Sequence, residues 1–360
     1  MSGLRIGMLT SGGDCPGLNA AMRGAMKACV EKFGEKNVEI VGIKNGYYGL
    51  INNQAKEMKR SDFSGILTVG GTILGTKRQS FKMLTSTEDG VDKIKAMKNT
   101  YKDLKLDCLI TLGGNGTHKT ANLLSEEGLN IIGLPKTIDN DIFMTDVTFG
   151  FHTAVNTATD VIDRLHTTAA SHSRVIVAEI MGNKTGWLTL YSGIAGGADV
   201  IIIPECPYEI KKIIEAVRAR ASRGRGFSII AVAEGAFDKD EAKLKRKDRL
   251  RQREESGIKT ASERIAAEVE RETGIESRVC VPGHMLRGGS PSAYDRFLAS
   301  SMGARTAKLI EDGNFGVSVA MVNDRITENK LSDIAGISKP VPVDHQALKT
   351  AKQLGISLGI

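Results

Sequence analysis

Two aspartates, a lysine, a threonine and an amide lie within six residues in the stretch GLPKTIDNDI (133–142), directly after an apolar run at 130–132. In an extended segment, Asp139 and Asp141 point to one side while Asn140 points away. Two carboxylates this close raise each other's pKa unless a cation or a substrate proton intervenes. The pair therefore suits a general base that faces a hydroxyl group, beside a carboxylate that holds Mg²⁺ directly or through water. The alternative is an Asx turn, in which Asp and Asn side chains cap their own backbone.

Glycine-rich polar turns recur elsewhere in the chain. TSGGDCPGLN (10–19) follows one apolar run, GGNGT (113–117) follows another, and GGTILGTKR (70–78) ends in two basic residues. Glycines at a strand-to-helix junction let backbone N–H groups approach an anion, and the helix N-terminus adds partial positive charge. One such turn is explained by packing alone, but turns at the carboxyl ends of several parallel strands meet in one crevice. Together they predict a site that handles phosphate groups.

A second group of polar residues lies in the other half of the chain. Arg174 begins an apolar run, MGN (181–183) follows the end of that run, and Glu234 ends another. The stretch RVCVPGHMLRGGSP (278–291) carries two arginines and a histidine around glycine turns. Arginine and histidine bind a phosphate monoester well, and a glutamate accepts hydrogen bonds from sugar hydroxyls. His284, between the two arginines, is therefore a candidate phosphate ligand, with a structural or capping histidine as the alternative.

Apolar runs alternate with helical stretches along the chain. Runs this apolar suit strands that are covered on both faces, which is typical of parallel sheets. They lie at 4–10, 38–44, 107–113, 130–135, 174–180, 198–204, 227–234 and 316–322, with helices predicted at 17–33, 117–127, 151–169, 208–222 and 258–273. The alternation predicts a doubly wound α/β fold.

The composition is that of a globular protein. The 360 residues are 41% hydrophobic and 25% charged, and the length allows two domains. The net charge of +7 favours acidic partners, and aromatic residues at 5% argue against nucleic acid, which leaves phosphorylated metabolites. No apolar run approaches the roughly 20 residues of a membrane helix, and the N-terminus lacks a signal-peptide layout. The five scattered cysteines are expected to be reduced thiols of a cytoplasmic protein.

The stretch 238–259, DKDEAKLKRKDRLRQREESGIK, is a dense run of mixed charge. Such a run predicts an exposed helix or a surface insertion. The alternative is a patch that binds phosphate groups.

Over essentially its whole length the sequence resembles the phosphofructokinase family. The motifs that carry the resemblance, in family order, are TSGGDCPGLNA (10–20), GGTILGTKR (70–78), GGNGT (113–117), PKTIDNDI (135–142), SHSR (171–174), MGNKTGW (181–187), IAGGAD (194–199) and PGHMLRGGSPSAYDR (282–296). The resemblance implies two Rossmann-like domains with the active site between them, and a homotetramer that shares sugar-phosphate ligands between subunits. Residues 1–150 with about 285–335 are expected to bind the nucleotide, and residues 151–284 with about 336–360 the sugar phosphate. The implied reaction transfers the γ-phosphoryl group of ATP, with Mg²⁺, to O1 of fructose 6-phosphate.

The resemblance also implies a role for each cluster. Asp139 would be the base that takes the proton of the sugar 1-hydroxyl, and Thr137 would lie near the transferred phosphoryl group. Asp141 and Asn115 would hold or orient the metal. The nucleotide would be held by Gly13, Tyr47, Arg78, Gln79, Gly113, Gly114, Asn115, Gly116 and Thr117, with Arg78 stabilising charge on the phosphates. The acceptor would contact Thr137, Ile138, Asp139, Met181, Gly182, Asn183, Glu234, His284, Met285, Leu286 and Arg287, joined by Arg174 and Arg278 from a neighbouring subunit.

Four positions depart from the family pattern. Asn115 stands where the family has a metal-binding aspartate, and Asn183 stands where it has an arginine. Lys136 occupies a position that is small in the best-known bacterial ATP enzymes, and we expect it to replace the missing cation in catalysis. Gln79 stands where those enzymes place an aromatic residue against adenine.

Gly116 favours ATP over pyrophosphate as the donor. The pyrophosphate-using branch combines PKTIDND with a carboxylate at the position of Gly116, where a side chain would fill the space of a nucleotide α-phosphate and repel it. Glycine leaves that space, although Lys136 resembles the pyrophosphate branch. Two alternatives belong to other classes. A lipid or NAD kinase has no use for PGHMLRGGSP, and Asp139 favours an enzyme over a catalytically weak regulatory subunit that binds a sugar phosphate.

Overall fold

The apolar runs of the sequence form the strands of two mostly parallel sheets. The computed structural model describes residues 3–86, 90, 92–224 and 226–360. The chain divides into two units, Met1–Thr153 with Arg287–Lys339 and Ala154–Leu286 with Pro340–Ile360, and each unit contains one of the sheets. The predicted doubly wound α/β class is confirmed, whereas the nucleotide and sugar-phosphate roles of the two units stay a prediction.

Strands and helices alternate along most of the chain. The strands are β1 (Leu4–Thr10), β2 (Val38–Ile43), β3 (Ala55–Met58), β4 (Cys108–Gly113), β5 (Ile131–Pro135), β6 (Val175–Ile180), β7 (Val200–Ile202), β8 (Ser228–Ala233), β9 (Ser277–Cys280), β10 (Val317–Val322) and β11 (Arg325–Lys330). The helices are α1 (Leu18–Phe33), α2 (Tyr47–Ile51), α3 (Phe81–Thr85), α4 (Lys93–Asp103), α5 (Asn115–Glu126), α6 (Phe151–His172), α7 (Trp187–Ala195), α8 (Ile210–Ser222), α9 (Arg246–Ser256), α10 (Ala261–Thr273), α11 (Ala293–Glu311), α12 (Leu331–Ile334) and α13 (Gln346–Gln353). Each strand and helix predicted from the sequence is present.

The first unit is built on a seven-stranded sheet with the order β11-β10-β5-β4-β1-β2-β3. Its inner strands are parallel, whereas β3 and β11 pair antiparallel at the two edges. β4 and β5 are buried along their whole length, as expected of strands covered on both faces. Leu9, Leu109 and Ile131 of adjacent strands share one apolar cluster with Leu124 of α5 and Leu50 of α2. This core fixes the ends of the central strands.

The second unit is built on a four-stranded parallel sheet with the order β7-β8-β6-β9. Val177, Ile202 and Val232 of three adjacent strands pack with Ile213 of α8 and Ile265 of α10. Because all four strands are parallel, the loops after β6, β8 and β9 leave the same edge of the sheet.

Strands β3, β9 and β11 were not predicted, because their residues are largely polar. β3 reads AKEM, β9 reads SRVC and β11 reads RITENK. All three lie at the edge of a sheet, where one side of the strand faces away from the other strands. An edge strand needs no continuous apolar run, so the pattern that identified the inner strands is missing.

The part of the chain that the structure describes contains no helix long and apolar enough to cross a membrane. The five cysteines are free thiols. Burial raises the pKa of Cys15 and of Cys29 to about 12. Their reactive thiolate forms are therefore suppressed at neutral pH.

A buried histidine ties helix α5 to strand β10. His118 is 1% exposed, and its Nδ1 and Nε2 lie 3.0 Å from Gly114 O and 2.9 Å from Ser318 Oγ. A carbonyl only accepts, so Nδ1 carries the proton and Nε2 accepts from the hydroxyl. Gly133 of β5 makes room for the ring, because a Cβ there would lie 3.0 Å from His118 Nε2. Burial lowers the pKa of His118 to about 4, so the folded protein holds the ring neutral.

We expect His118 to make the protein less stable in acid. Between an unfolded pKa of about 6.5 and a folded pKa of about 4, the unfolded state binds a proton that the folded state excludes. Stability therefore falls with falling pH in this window, by about 1.4 kcal/mol per pH unit. Urea unfolding of the wild type and His118→Gln should show a difference in unfolding free energy that narrows by about 2 kcal/mol from pH 7.5 to pH 5. A difference of equal size at both pH values would contradict a buried, neutral ring.

Candidate functional site

Three neighbouring strands of the first sheet end side by side. In register, β1 pairs with β4 at Thr10 and Leu112, and β4 pairs with β5 at Gly113 and Pro135. The segments that follow them are the glycine loop (11–17), the GGNGT turn (113–117) and the acidic segment (136–141). All three leave the carboxyl edge of the sheet, where open α/β sheets bind ligands.

The ammonium group of Lys136 lies where the glycine loop meets the acidic segment. Lys136 is 3% exposed, and its Nζ donates a hydrogen bond to Gly13 O. Burial lowers the pKa of Lys136, and the positive charge of Arg287 lowers it further, whereas Asp139 opposes both effects. The site therefore contains a cation that is partly stripped of water, which strengthens its attraction to an anionic ligand.

Arg287 brings a second cation to the glycine loop. Its Nη1 donates to Asp14 O at 3.2 Å, and its guanidinium packs against Gly13. Within the first unit the glycine loop is thus flanked by Lys136, predicted as a catalytic cation, and by Arg287, predicted as a ligand of the acceptor.

The basic loop (70–78) is joined to the same edge. Thr76 Oγ1 donates to Gly12 O at 2.6 Å, and Thr10 Oγ1 donates to Gly75 O at 2.9 Å. These bonds connect the loop to β1 and to the glycine loop. The structure therefore brings together the glycine loop, the GGNGT turn, the acidic segment and the basic loop, the four segments predicted to form a phosphate-handling site.

The basic loop leads to two polar side chains predicted to hold a nucleotide. Arg78 is exposed, so its guanidinium is open to a ligand. Gln79 Oε1 is buried and accepts no hydrogen bond from the residues that the structure describes. An acceptor in this state can receive a hydrogen bond from a ligand.

The GGNGT turn opens helix α5, with Gly114 as its N-cap residue. Thr117 is buried, and its Oγ1 donates to Ser11 O at 3.4 Å. A Cβ at Gly116 would meet nothing within 4 Å. The space beside the turn is therefore open at Gly116.

Tyr47 supports this turn from behind. It is 1% exposed, and its hydroxyl donates to Thr117 O at 2.9 Å. Burial raises the pKa of Tyr47, so the hydroxyl stays protonated as the donor. Direct contact between Tyr47 and a nucleotide, as predicted, does not fit this burial. Its contribution is to hold the backbone of the turn.

The acidic segment turns at Asn140 and is not extended, which corrects the geometry assumed from the sequence. Asn140 has a φ of 51°, in the left-handed region. Its side chain accepts from Thr148 N at 3.1 Å and donates to Asp146 O at 3.3 Å. Thr137 Oγ1 accepts from Asp139 N at 3.0 Å, as in a local hydroxyl turn. The amide and the hydroxyl thus shape the turn that carries the two aspartates.

Asn115 and Asp141 lie together, as a shared metal site requires. Asn115 Nδ2 donates to Asp141 O at 3.1 Å and to Asp141 Oδ2 at 3.3 Å. Asn115 Oδ1 is buried and accepts no hydrogen bond within the described chain. No three His, Cys, Asp or Glu side chains of the described residues form a metal cage. An unpartnered amide oxygen beside a carboxylate fits Mg²⁺, which takes one or two protein oxygens together with substrate phosphates.

In the second unit, Glu234 organises the turn after β6. Glu234 Oε1 accepts hydrogen bonds from Asn183 N at 2.7 Å and from Gly182 N at 3.3 Å. Asn183 is exposed with a φ of 52°, and Met181 is half-buried before it. The loops after β6 and β8 therefore form one surface at the carboxyl edge of the second sheet.

The predicted acceptor residues differ in what they can offer a ligand. His284 and Met285, in the loop after β9, are exposed, Met285 by 67%. Leu286 and Ile138 are fully buried. Their side chains cannot touch a ligand, so only their backbone atoms are available.

Arg174 and Arg278 lie toward the opposite, amino edge of the second sheet. Arg174 precedes β6, and its Nε donates to Glu276 Oε2 at 2.6 Å. Arg278 pairs with Glu276 as well, and its Nη1 lies 3.7 Å from Glu270 Oε2. The six residues of β6, about 20 Å of strand, separate Arg174 from the Glu234 turn. The chain does not bring Arg174 to its own Glu234.

Two residues that the sequence did not single out support the site. His118 holds Gly114 O of the GGNGT turn. Arg253 donates to Ala236 O at 2.9 Å, two residues after Glu234. A lone histidine and one arginine in a charge run have no distinguishing local pattern, so only the tertiary contacts identify them.

Comparisons with known proteins find relatives that match nearly the whole chain. The phosphofructokinase family profile matches residues 5–310. The ATP-dependent 6-phosphofructokinase of Spirochaeta thermophila is 49% identical, over 98% of this chain and 97% of that protein. ATP-dependent 6-phosphofructokinase 3 of Bacteroides thetaiotaomicron is 44% identical, over 99% and 100%. A pyrophosphate–fructose 6-phosphate 1-phosphotransferase of Amycolatopsis mediterranei is 43% identical, over 95% and 97%.

A solved structure shares the same architecture. The phosphofructokinase of Saccharomyces cerevisiae superposes with a TM-score of 0.78 at 29% identity, covering 92% of this chain. This chain spans 45% of the yeast chain. The family profile and the relatives together cover nearly the whole sequence, and the chain belongs to the phosphofructokinase family.

Proposed function

We propose that this protein transfers the γ-phosphoryl group of ATP to O1 of fructose 6-phosphate, giving fructose 1,6-bisphosphate and ADP. The observation that carries the proposal is the convergence of the glycine loop, the GGNGT turn, the basic loop and the acidic segment at one sheet edge, with Lys136 buried among them. The first unit binds ATP in this proposal, and the second unit binds the acceptor. The names of the relatives from Spirochaeta thermophila and Bacteroides thetaiotaomicron support ATP as the donor.

Asp139 is the proposed general base. Its carboxylate takes the proton of the sugar 1-hydroxyl as the bond from O1 to the γ-phosphorus forms and the bond to the departing ADP oxygen breaks. Thr137 accepts from the backbone N–H of Asp139 and so positions it. Burial lowers the pKa of Lys136, and the charge of Asp139 opposes that effect, which favours a positive charge beside the base.

Lys136 and Arg287 are the proposed cations that stabilise the transferred phosphoryl group. Phosphoryl transfer depends mainly on positioning and on electrostatic stabilisation of spreading negative charge. Both cations are anchored on the glycine loop, by Gly13 O and Asp14 O. Lys136 thereby supplies the charge that the family arginine would supply at Asn183. The exposed Arg78 adds a further cation for the donor phosphates.

Asn115 and Asp141 are the proposed protein ligands of Mg²⁺, directly or through water. When bound, Mg²⁺ neutralises charge on the β- and γ-phosphates. Asn115 Oδ1 provides an oxygen without a hydrogen-bond partner in the described chain, and Asp141 provides the negative charge. With Asn115 in place of an aspartate, the site has one charge fewer than the family pattern.

Gly116 and Gln79 support a nucleotide donor. The open space at Gly116 leaves room for an α-phosphate beside the turn. Gln79 Oε1, which has no hydrogen-bond partner among the described residues, can accept a hydrogen bond from an amino group such as that of adenine. Lys136 and the Amycolatopsis mediterranei relative favour pyrophosphate as the alternative donor.

The acceptor site is proposed to be shared between copies of this chain. Glu234, Met181 and His284 lie in loops at the carboxyl edge of the second sheet, whereas Arg174 and Arg278 lie toward the amino edge and pair with glutamates. A site that uses both groups needs the arginines of a second copy. A homo-oligomer, expected to be a tetramer, is therefore part of the proposal.

Replacement of the proposed base should abolish most turnover. Asp139→Asn should lower kcat by about 10²–10⁴, because acid–base catalysis is lost while charge-neutral contacts remain. Steady-state rates with ATP and fructose 6-phosphate measure this. The control is Asp103→Asn, which removes an exposed carboxylate at the end of α4 and should leave kcat unchanged. A near-normal kcat in Asp139→Asn would overturn the assignment.

Hybrid oligomers should test the shared acceptor site. An Asp139→Asn subunit lacks the base, and an Arg278→Ala subunit lacks a phosphate ligand that it lends to its neighbour. Mixed oligomers contain some sites with both residues intact, so mixing two weak variants should restore part of the activity. Native mass spectrometry confirms that hybrids form. Hybrids without any gain in activity would show that each chain completes its own site.

Adding a carboxylate at Gly116 should change the donor. Gly116→Asp places negative charge where the proposal puts the α-phosphate of ATP, so kcat/KM for ATP should fall at least tenfold, about 1.4 kcal/mol, while pyrophosphate is less affected. Gly116→Ala is the matched control, because its Cβ meets nothing within 4 Å and it adds no charge. Initial rates with both donors decide the outcome. A wild-type preference for pyrophosphate would mean that Lys136, not Gly116, determines the donor.

A further inference from the structure

Helix α9 contains half of the mixed-charge run and turns a row of arginines toward the loop after β8. Arg246, Arg249 and Arg253 are three and four residues apart, so they share one face of the helix. This face lines a cavity of about 610 Å³ together with Lys184 and Phe237. The volume is in the range of small-molecule sites.

One of these arginines is structural. Arg253 Nε and Nη2 bind Glu241 at 2.6 and 2.8 Å, and Nη2 also donates to Ala236 O at 2.9 Å. These bonds attach α9 to the loop that follows Glu234. The helix has no buried residue of its own, so polar contacts rather than an apolar face hold it.

The other cations of the cavity form no ion pair among the residues that the structure describes. Neither Lys184, Arg246 nor Arg249 pairs with a carboxylate of the described residues. The guanidinium of Arg249 stacks on Phe237, with its central carbon 3.8 Å from the ring centroid. Burial in this position lowers the pKa of Arg249. The charge of Glu241, which is bonded to Arg253, opposes this effect only in part. A guanidinium that loses water and forms no ion pair keeps donors that can bind an anion.

The acids that line the same cavity are already engaged. Glu179 accepts a hydrogen bond from Ser262 Oγ. Glu234 accepts from the backbone N–H groups of Gly182 and Asn183. Both carboxylates thus accept hydrogen bonds from neutral groups of their own chain, and within the described residues neither forms an ion pair with Lys184, Arg246 or Arg249.

We propose that this cavity is an anion-binding subsite that takes a phosphorylated small molecule through Lys184, Arg246 and Arg249. One arginine guanidinium can bind two phosphate oxygens at once, and a lysine ammonium adds a point charge. The cavity and the proposed acceptor site share Glu234. An occupied subsite therefore changes the affinity for fructose 6-phosphate, a consequence that rests on the proposed function.

Inorganic phosphate is the probe for this subsite. The thermal unfolding midpoint of the full chain is followed against phosphate concentration, with sodium chloride at equal ionic strength as the reference. A ligand that binds only the folded state raises the midpoint, and the shift gives an apparent Kd. The double variant Arg246→Gln/Arg249→Gln removes two charge-assisted contacts. Its apparent Kd for phosphate should therefore rise by at least about tenfold.

Two further variants separate the subsite from other sources of phosphate binding. Arg251→Gln is the matched control, because Arg251 lies on the same helix and pairs with Glu255 at 3.5 Å, and it should bind phosphate like the wild type. His284→Ala alters the proposed acceptor site and should leave most phosphate binding in place. Wild-type affinity in the double variant, or loss of all phosphate binding in His284→Ala, would overturn the subsite. The measurement needs no turnover, so its failure is distinguishable from failure of the proposed function.

Discussion

The burial of one ammonium group constrains the candidate active site more than any other interaction. Lys136 is 3% exposed, and removing an ammonium group from water costs several kcal/mol unless partners compensate for it. Gly13 O and the negative charge of Asp139 provide part of that compensation, while burial still lowers the pKa of Lys136. The glycine loop and the acidic segment must therefore keep their places around the nitrogen, and they are anchored on β1 and β5, which flank β4 in the sheet.

The second unit follows a different principle, because it distributes its polar residues over two edges of a parallel sheet. The Glu234 turn lies at the carboxyl edge, where the loops after β6 and β8 meet. Arg174 and Arg278 lie toward the amino edge, where Glu276 balances their charge. The length of one short strand thus separates these cations from the proposed acceptor residues of the same chain, and the proposed oligomer would bring the two groups together.

Much of this organisation could be predicted from the sequence, because inner parallel strands are continuous apolar runs and the glycine turns follow them directly. The rest depends on contacts that no local pattern contains. Tyr47 acts through Thr117, 70 positions away, and His118 acts through Ser318, 200 positions away. The acidic segment was expected to be extended, but Asn140 turns it by binding Thr148 N. Spacing and the family motifs predicted which residues belong to the candidate site, and tertiary hydrogen bonds determine the directions of their side chains.

The turn at Asn140 also bears on the thermodynamics of ligand binding. Asn140 is 4% exposed, and hydrogen bonds of its side-chain Oδ1 and Nδ2 hold its left-handed backbone. A loop that is already ordered loses little conformational entropy when a ligand arrives, which would otherwise cost about 1–2 kcal/mol for each residue that becomes fixed. Ligand binding to the acidic segment should therefore pay only a small entropic cost for loop ordering, and the heat of binding should contain little contribution from it.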